Sequence, residues 1–483
     1  MRVALSVMKN ELRGLVRQRT ALAGIVLMTL LTITATVVSL HHMQAAAEHR
    51  GRQQAAAQDA FDAQPDRHPH RVVHYGHFVY RLPAALAAFD PGVDPFTGSS
   101  MFLEGHRQNT ANFGDVMQNS ILTRFGQLTP AFALQILAPL MLVFLGHATL
   151  AQERQSGTLR QLMLQGASRR SILGGKLAAL LVISALFLLP AFLGLAALAW
   201  GSPGTLPVAL TVMLGYTLYL AAWCVLITVV SSMMSQRRDA LLALIGGWAV
   251  MALLVPRIAP DLAYAAFPLP DRLHNEVSIA GDLRALGDSH DANDPYFAAF
   301  RQRVLDQYGV TRIEDLPVNY KGLLAVEGER LSSSLFNRYA ADAAAIQHRQ
   351  NRLVAGFAVL SPVLAIRQLS MAAAATDLRA HLGFLDQAEQ HRYQLVQQLN
   401  QMQADEVSYA DDTAKDAGAD QRKRVDSSQW EKIPHFEFRS QGTSTVLASL
   451  LAPLLAPLLV LAGWLTAALL LLGVMSRRLG VIR

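Results

Sequence analysis

Histidine is the residue type best suited to chemistry in this chain, and eight of its fifteen copies fall between His41 and His106. His68-Pro-His70, His74-Tyr-Gly-His77 and Glu104-Gly-His106 have the short spacings that metal sites use, since neutral imidazole is the commonest metal ligand. Such spacings also arise by chance, no thiol accompanies them, and loop histidines often bond backbone carbonyls. The expectation is a structural role and no bound metal, with His68, His70, His74, His77 and His106 as weak metal candidates. Glu389 with His391-Arg392 reads as a solvated helix face rather than a catalytic pair.

No nucleotide site is visible. A P-loop needs Gly-x-x-x-x-Gly-Lys and then Ser or Thr; Gly175-Lys176 is followed by Leu177, and Arg170 stands where the first glycine belongs. No Ser-His-Asp set or carboxylate pair is defended by spacing. The chain is expected to be non-catalytic and without a cofactor of its own. Its one cysteine, Cys224, cannot form an internal disulfide and reads as a small buried hydrophobe.

The elements that position these residues are set by hydropathy. Hydrophobic residues make up 52% of the chain and charged residues 16%, against about a quarter charged in soluble domains; mean hydropathy is +0.25. A crossing needs about 20 apolar residues. Six runs come close: Thr20–Leu40, Leu128–Leu150, Ile172–Ala199, Val208–Met233, Ala240–Val255 and Val446–Val474. The first is too long for the apolar core of a cleavable signal peptide and reads as a retained span. The fifth suffices only if it starts near Arg238. Pro139, Pro190, Pro453 and Pro457 are tolerated where neighbouring helices satisfy the freed carbonyls.

Cations fix the orientation. Arg2, Lys9, Arg13, Arg17 and Arg19 precede the first run, and Arg154, Arg160, Arg169, Arg170 and Lys176 follow the second. Arg237 and Arg238 follow the fourth, and Arg477, Arg478 and Arg483 the sixth. Six alternating spans put all four groups on one side, which predicts cytoplasmic termini. Leu353–Ala375 is apolar but carries Ser361-Pro362 and Arg367. A seventh span there would break the charge rule, so it reads as a buried or membrane-proximal part of an external domain. Helical spacing over Leu323–Arg352 and Leu364–Met402 predicts an antiparallel pair, and Asp405–Asp426 reads as a mobile loop.

The segment from Ala151 to Lys176 carries the sharpest signal. Glu153 opens it, Leu159, Leu162 and Leu164 give apolar teeth, and Gly166 and Ser168 suit a helix end and the next helix's cap. It resembles the coupling segment of ABC-2-type exporter permeases, with Glu153, Gly157, Thr158, Leu159, Ser168, Arg169 and Lys176 matching. His147 stands where that family usually has an acid. Met1–Arg19, with Leu5, Met8, Leu12 and Leu15 on one side, resembles the family's interfacial helix. His70-Arg-Val-Val-His-Tyr-Gly-His77, Phe89-Asp-Pro-Gly92, Leu103-Glu-Gly-His-Arg-Gln-Asn109, Leu369-Ser-Met-Ala372, Thr376-Asp377, Glu389-Gln-His-Arg392 and Leu399-Asn400 resemble the bacterial subfamily with DUF3526.

The resemblance implies an all-α polytopic membrane protein of the ABC-2 (type V exporter-like) kind: six transmembrane helices with two mainly helical periplasmic insertions. The expected organisation is an amphipathic helix and first span (1–40), a first periplasmic domain (41–127), four spans with the coupling segment 151–176 (128–255), a second periplasmic domain (256–445), and the last span with its tail (446–483). It further implies a permease subunit of an ATP-driven exporter in the bacterial inner membrane. A separate ABC ATPase would bind the ATP and Mg, and a second permease subunit would complete the pair, identical or a sister chain. Membrane lipids and a periplasmic protein are further expected partners; nucleic acid is not. The other readings are a mechanotransmission subunit acting on a periplasmic partner, and a periplasmic metal-binding membrane protein. Nothing in the sequence names the substrate or its direction.

Overall fold

The computed structural model describes residues 2–112, 128–201, 204–289, 291, 293–439 and 447–478. Arg483, Val446 and the expected domain boundaries at 127 and 445 lie outside the described residues. In chain order the main elements begin with α1 (Arg2–Arg17), α2 (Arg19–Asp62), α3 (Pro69–Val73) and the hairpin β1 (His77–Tyr80) and β2 (Ser100–Leu103). Next come α4 (Pro130–Gln155), α5 (Thr158–Leu164), α6 (Arg169–Trp200), α7 (Leu206–Met233) and α8 (Arg237–Ala266). Then follow α9 (Arg272–Leu286), α10 (Pro295–Tyr308), α11 (Tyr320–Gly356), α12 (Pro362–Ala374), α13 (Leu378–Glu406) and α14 (Leu447–Arg478).

Six helices, α2, α4, α6, α7, α8 and α14, are long and apolar enough to cross a membrane. Two outrun the expected bounds. α2 continues past Leu40 to Asp62, and its 44 residues span about 66 Å at 1.5 Å per residue, about twice a hydrocarbon core. α8 runs past Val255 to Ala266, which gives the fifth crossing its length. Central to the bundle is α7, where Tyr216, Tyr219, Leu220, Trp223, Cys224 and Ile227 are all buried.

Proline shapes two of the spans. Pro139 cannot donate to Gln135, and a π turn over Ala133–Leu137 precedes it; such turns absorb a broken ladder. The freed Gln135 carbonyl accepts the Tyr219 hydroxyl at 2.6 Å. Pro256 follows a second π turn, Val250–Leu254, and there the Met251 carbonyl accepts the Ser361 hydroxyl at 2.5 Å. Side chains of packed helices thus restore the bonds that proline removes.

The cation clusters meet at one end of the bundle. Arg154 Nη1 donates to the carbonyls of Met233 and Met234 at the end of α7, at 3.2 and 3.4 Å. Arg169 Nη1 donates to the Arg477 carbonyl at 3.0 Å, and Arg237 N to Gln155 Oε1 at 3.4 Å. α1 lies across α6 there, turning Leu12 and Leu15 inward while Leu5 stays exposed.

At the opposite end the two insertions form one body instead of two separate domains. α11 and α13 run antiparallel: Asn319 N donates to the Ala404 carbonyl at 2.8 Å, and Gln397 Nε2 to the Val326 carbonyl at 3.0 Å. Phe61, Val72 and Val73 of the first insertion share a core with Leu395, Val396, Leu399, Val425 and Trp430 of the second. Asp405–Asp426, expected to be mobile, is instead tied down. Its Asp412 accepts from His68, Asn319 and Gln403, and Val425 bridges to Arg67. The expected helix over Leu364–Met402 is broken by Ala375 at φ 52, after which Asp377 caps α13. α12 is not a span. It packs Ile366 and Leu369 over Gly215 of α7, where a side chain would collide, and leaves Arg367 exposed.

Candidate functional site

At the basic end, the α4–α5–α6 segment folds on local signals. Gly157 adopts φ 76 between α4 and α5, a left-handed conformation that favours glycine. Thr158 Oγ1 bonds the Glu153 carbonyl at 3.2 Å and closes the turn. Gly166 takes φ 88, and the Ser168 hydroxyl caps α6 by accepting from Ser171 N at 3.2 Å. Arg160, Leu164, Arg169 and Arg170 stand exposed. Arg169 and Arg170 line a shallow cleft that runs from Met163 and Ala167 to Ser476 and Arg477.

The three expected teeth separate. Leu159 is only 6% exposed and packs on Leu150, Ile172 and Leu173 of its own chain. It holds α5 down and is not available to a partner. Leu162 is half-buried in the same cluster, while Leu164 is 79% exposed. Three-residue spacing does put Leu159 and Leu162 on one helical face, but that face is turned inward.

Glu153 and Lys176 have a role that their spacing did not reveal. Lys176 is 4% exposed, and its Nζ lies 2.5 Å from Glu153 Oε1 and 2.7 Å from Glu11 Oε2. One ammonium therefore ties α1, α4 and α6 together. Gly175 makes this possible, because a Cβ there would strike the Ala4 carbonyl and Val7 of α1. The Gly-Lys pair is a close helix crossing with a buried cation beside it. A lysine inside an apolar helix was the available signal, since such residues are costly unless paired. Ser231 of α7 was also missed. Its hydroxyl donates to the His147 carbonyl at 2.8 Å and accepts from Leu150 N and Ala151 N at 3.0 and 3.2 Å. It bridges the break at His147 where α4 turns toward α5.

A second buried network joins the bundle to the helical body at its other end. Gln135 Nε2 donates to Tyr216 Oη at 2.8 Å and to Asp90 Oδ2 at 3.4 Å, and Tyr216 donates to Ser370 Oγ at 3.1 Å. Thr376 Oγ1 donates to the Asp90 carbonyl at 2.9 Å. Burial raises the Asp90 carboxyl, against the hydrogen bonds it accepts. The first insertion, α4, α7 and α12 meet at this point.

The histidines divide. His68 caps α3 and lies 3.1 Å from Asp412 Oδ1. His77 is buried against Phe61 and His391. Burial, then the neighbouring His391, pushes His77 down to about 4. His70, His74 and His106 instead come together, each offering a ring nitrogen within 4.8 Å of the others. Glu389 and Arg392 are no solvated face: Arg392 is fully buried, 2.7 Å from both Glu329 and Glu389, with Ser333 also accepting. Glu329 and Ser333 come from α11, more than fifty residues away in sequence, so helical spacing alone misread the pair.

Six helices long and apolar enough to cross a membrane, a basic end and a helical body at the other end define a multi-pass membrane protein. A family model described as ABC-2 family transporter protein matches residues 102–254, which include the α4–α5–α6 segment. A second, Domain of unknown function (DUF3526), matches residues 276–439, which include α11, α12 and α13. Together the two matches, which do not overlap, make the chain an ABC-2-type permease with a DUF3526 region. No curated protein matches the chain.

Proposed function

We propose that this chain is the membrane subunit of an ATP-driven exporter, in which a separate ABC ATPase docks on the α5 segment. The observation that supports this most is the Lys176 link, with Arg154 beside it. A push on α5 would reach α1, α4, α6 and α7 together, so the segment is built to transmit force. The positive-inside rule makes the basic end cytoplasmic, and the bacterial inner membrane is the compartment that fits. A second permease subunit, identical or a sister chain, would pack on the apolar outer faces of the bundle. ATP and Mg belong to the partner, and the external body would meet cargo or a partner protein.

Docking energy usually resides in a few exposed apolar or arginine anchors. On α5 and its flank these are Leu164, Arg160 and Arg169. Leu164→Asp with Arg160→Ala is expected to leave thermal stability unchanged and abolish ATPase co-purification and permease-stimulated hydrolysis. Normal association in this variant would rule out the docking reading. A second reading keeps the ATPase but sends its work to an external partner. The unbroken run of α2 from Arg19 to Asp62, packed beyond the membrane on β1, favours it. Cargo accumulation in sealed vesicles separates the two, since only an exporter moves solute.

A further inference from the structure

We infer that His70, His74 and His106 form a binding site for a divalent transition-metal ion on the external body, independent of the ATPase reading. His70 and His74 lie four residues apart at α3, where helical geometry brings their side chains to one face, and their Nε2 atoms are 3.1 Å apart. A tetrahedral ion with bonds of about 2.0–2.1 Å needs donors about 3.3 Å apart, so this pair already has the span. His106 supplies the third imidazole from the turn after β2. Its ring centroid lies 5.2 Å from that of His74 and 5.7 Å from that of His70. The three ring nitrogens lie within 4.8 Å of one another, so closing the triangle to that spacing takes a movement of at most about 1.5 Å.

The turn that carries His106 is built for the purpose. Gly105 N donates to the Val73 carbonyl at 3.3 Å, which fastens the turn to α3, and Gly105 has no side chain to strike Val73. His106 itself sits at φ 63, a conformation that costs a non-glycine residue energy. Behind its ring, Nδ1 lies 3.4 Å from Glu329 Oε2. Metal-ligating histidines commonly give the second ring N–H to a carboxylate, which fixes the tautomer and leaves the other nitrogen free to coordinate. Glu329 is suited to that role. It is buried and fixed by Arg392 at 2.7 Å and Ser333 at 3.1 Å.

His74 and His106 are exposed and His70 half-buried, so an ion can reach the site from solvent. Three imidazoles without a thiol suit zinc, copper(II) or nickel rather than calcium or magnesium. Three protein ligands also leave a coordination position open for water or a group from a partner. A bound ion would clamp α3 to the β2 turn and, through Glu329 and Arg392, to α11 and α13.

The test is zinc titration of the full-length, tag-free protein in detergent, by calorimetry and by metal content after dialysis. About one zinc per chain is expected, together with a raised thermal midpoint. His74→Gln with His106→Gln should weaken binding at least tenfold and remove the thermal shift, while leaving the zinc-free midpoint near wild type. His41→Gln with His42→Gln, elsewhere on α2, should change neither. Failure of the wild type to hold zinc, or equal binding by the His74/His106 variant, would overturn the inference.

Discussion

Lys176→Met puts the central link of the basic end under test. It removes the one cation shared by Glu11 and Glu153 and leaves two carboxylates facing each other beside a buried methionine. Removing one member of a buried ion pair costs about 3–5 kcal/mol, chiefly because the remaining charge is left desolvated. Here the glutamate side chains are 17% and 22% exposed, so water or a proton can relieve part of that. A cost of about 2–3 kcal/mol follows, and about 2.8 kcal/mol is a hundredfold shift in an equilibrium. It should fall on the docking of α1 and not on the six-span bundle. The assay is limited trypsinolysis in lipid nanodiscs at Arg13 and Arg17, both exposed near the end of α1. When opening is fast relative to cleavage, the rate tracks the open population, so Lys176→Met should be cut about a hundredfold faster. The combined variant Glu11→Gln, Glu153→Gln, Lys176→Met removes every charge and should return most of the way, since whole buried ion networks can be replaced at little cost. A wild-type rate in Lys176→Met would refute the reasoning. So would a combined variant that is cut as fast as the single one.

Other outcomes follow from the same contacts. Leu159→Ala should lower thermal stability by about 2–3 kcal/mol, as buried leucines do, whereas Leu164→Ala should be silent in the same melt and weaken only ATPase association. The helical body opposite the basic end should lose stability as pH falls from about 6.5, the ordinary histidine value, to about 4, where His77 and His391 sit in the fold. Both are buried neutral and both bind protons more readily once unfolded, so acid favours the unfolded chain. His77→Phe should flatten that slope in a pH series of thermal melts. Cysteine labelling should reach Ala57, Asp291 and Asp416 from outside and Gln155, Gln236 and Arg483 from inside; a cytoplasmic Asp416 would end the six-span reading.

Hydropathy and charge carried most of the fold because a membrane forces both into runs that one sequence displays by itself. The four cation groups meet at one end as alternation requires, and Leu353–Ala375 enters no span because Ser361-Pro362 and Arg367 cut it short. What hydropathy could not give is where a helix stops once it leaves the bilayer. α2 continues past Leu40 on polar sequence, since Gln54 bonds β1 and stabilises it there. Nor could it show Asp405–Asp426 as ordered. That polar stretch is held by His68, Asn319 and Gln403 from three distant parts of the chain, and composition cannot foresee such partners.

The site residues divide on the same physical ground. Gly166 and Ser168 were legible because their roles are local, a left-handed turn at a helix end and a cap. Leu159 misled because periodicity finds an apolar face without saying whether it points at a partner or at its own chain. Glu153, Lys176 and Glu11 form one ion cluster from positions spread over 165 residues, and Glu329 meets His106 across 223. A buried charge inside an apolar helix does carry a readable demand, because it must find a counter-charge or be expelled. Lys176 makes that demand, and it is answered by Glu11 of α1 and Glu153 of α4. The charge that looks out of place in an apolar helix is therefore the one that locks α1 to α4 and α6 at the basic end.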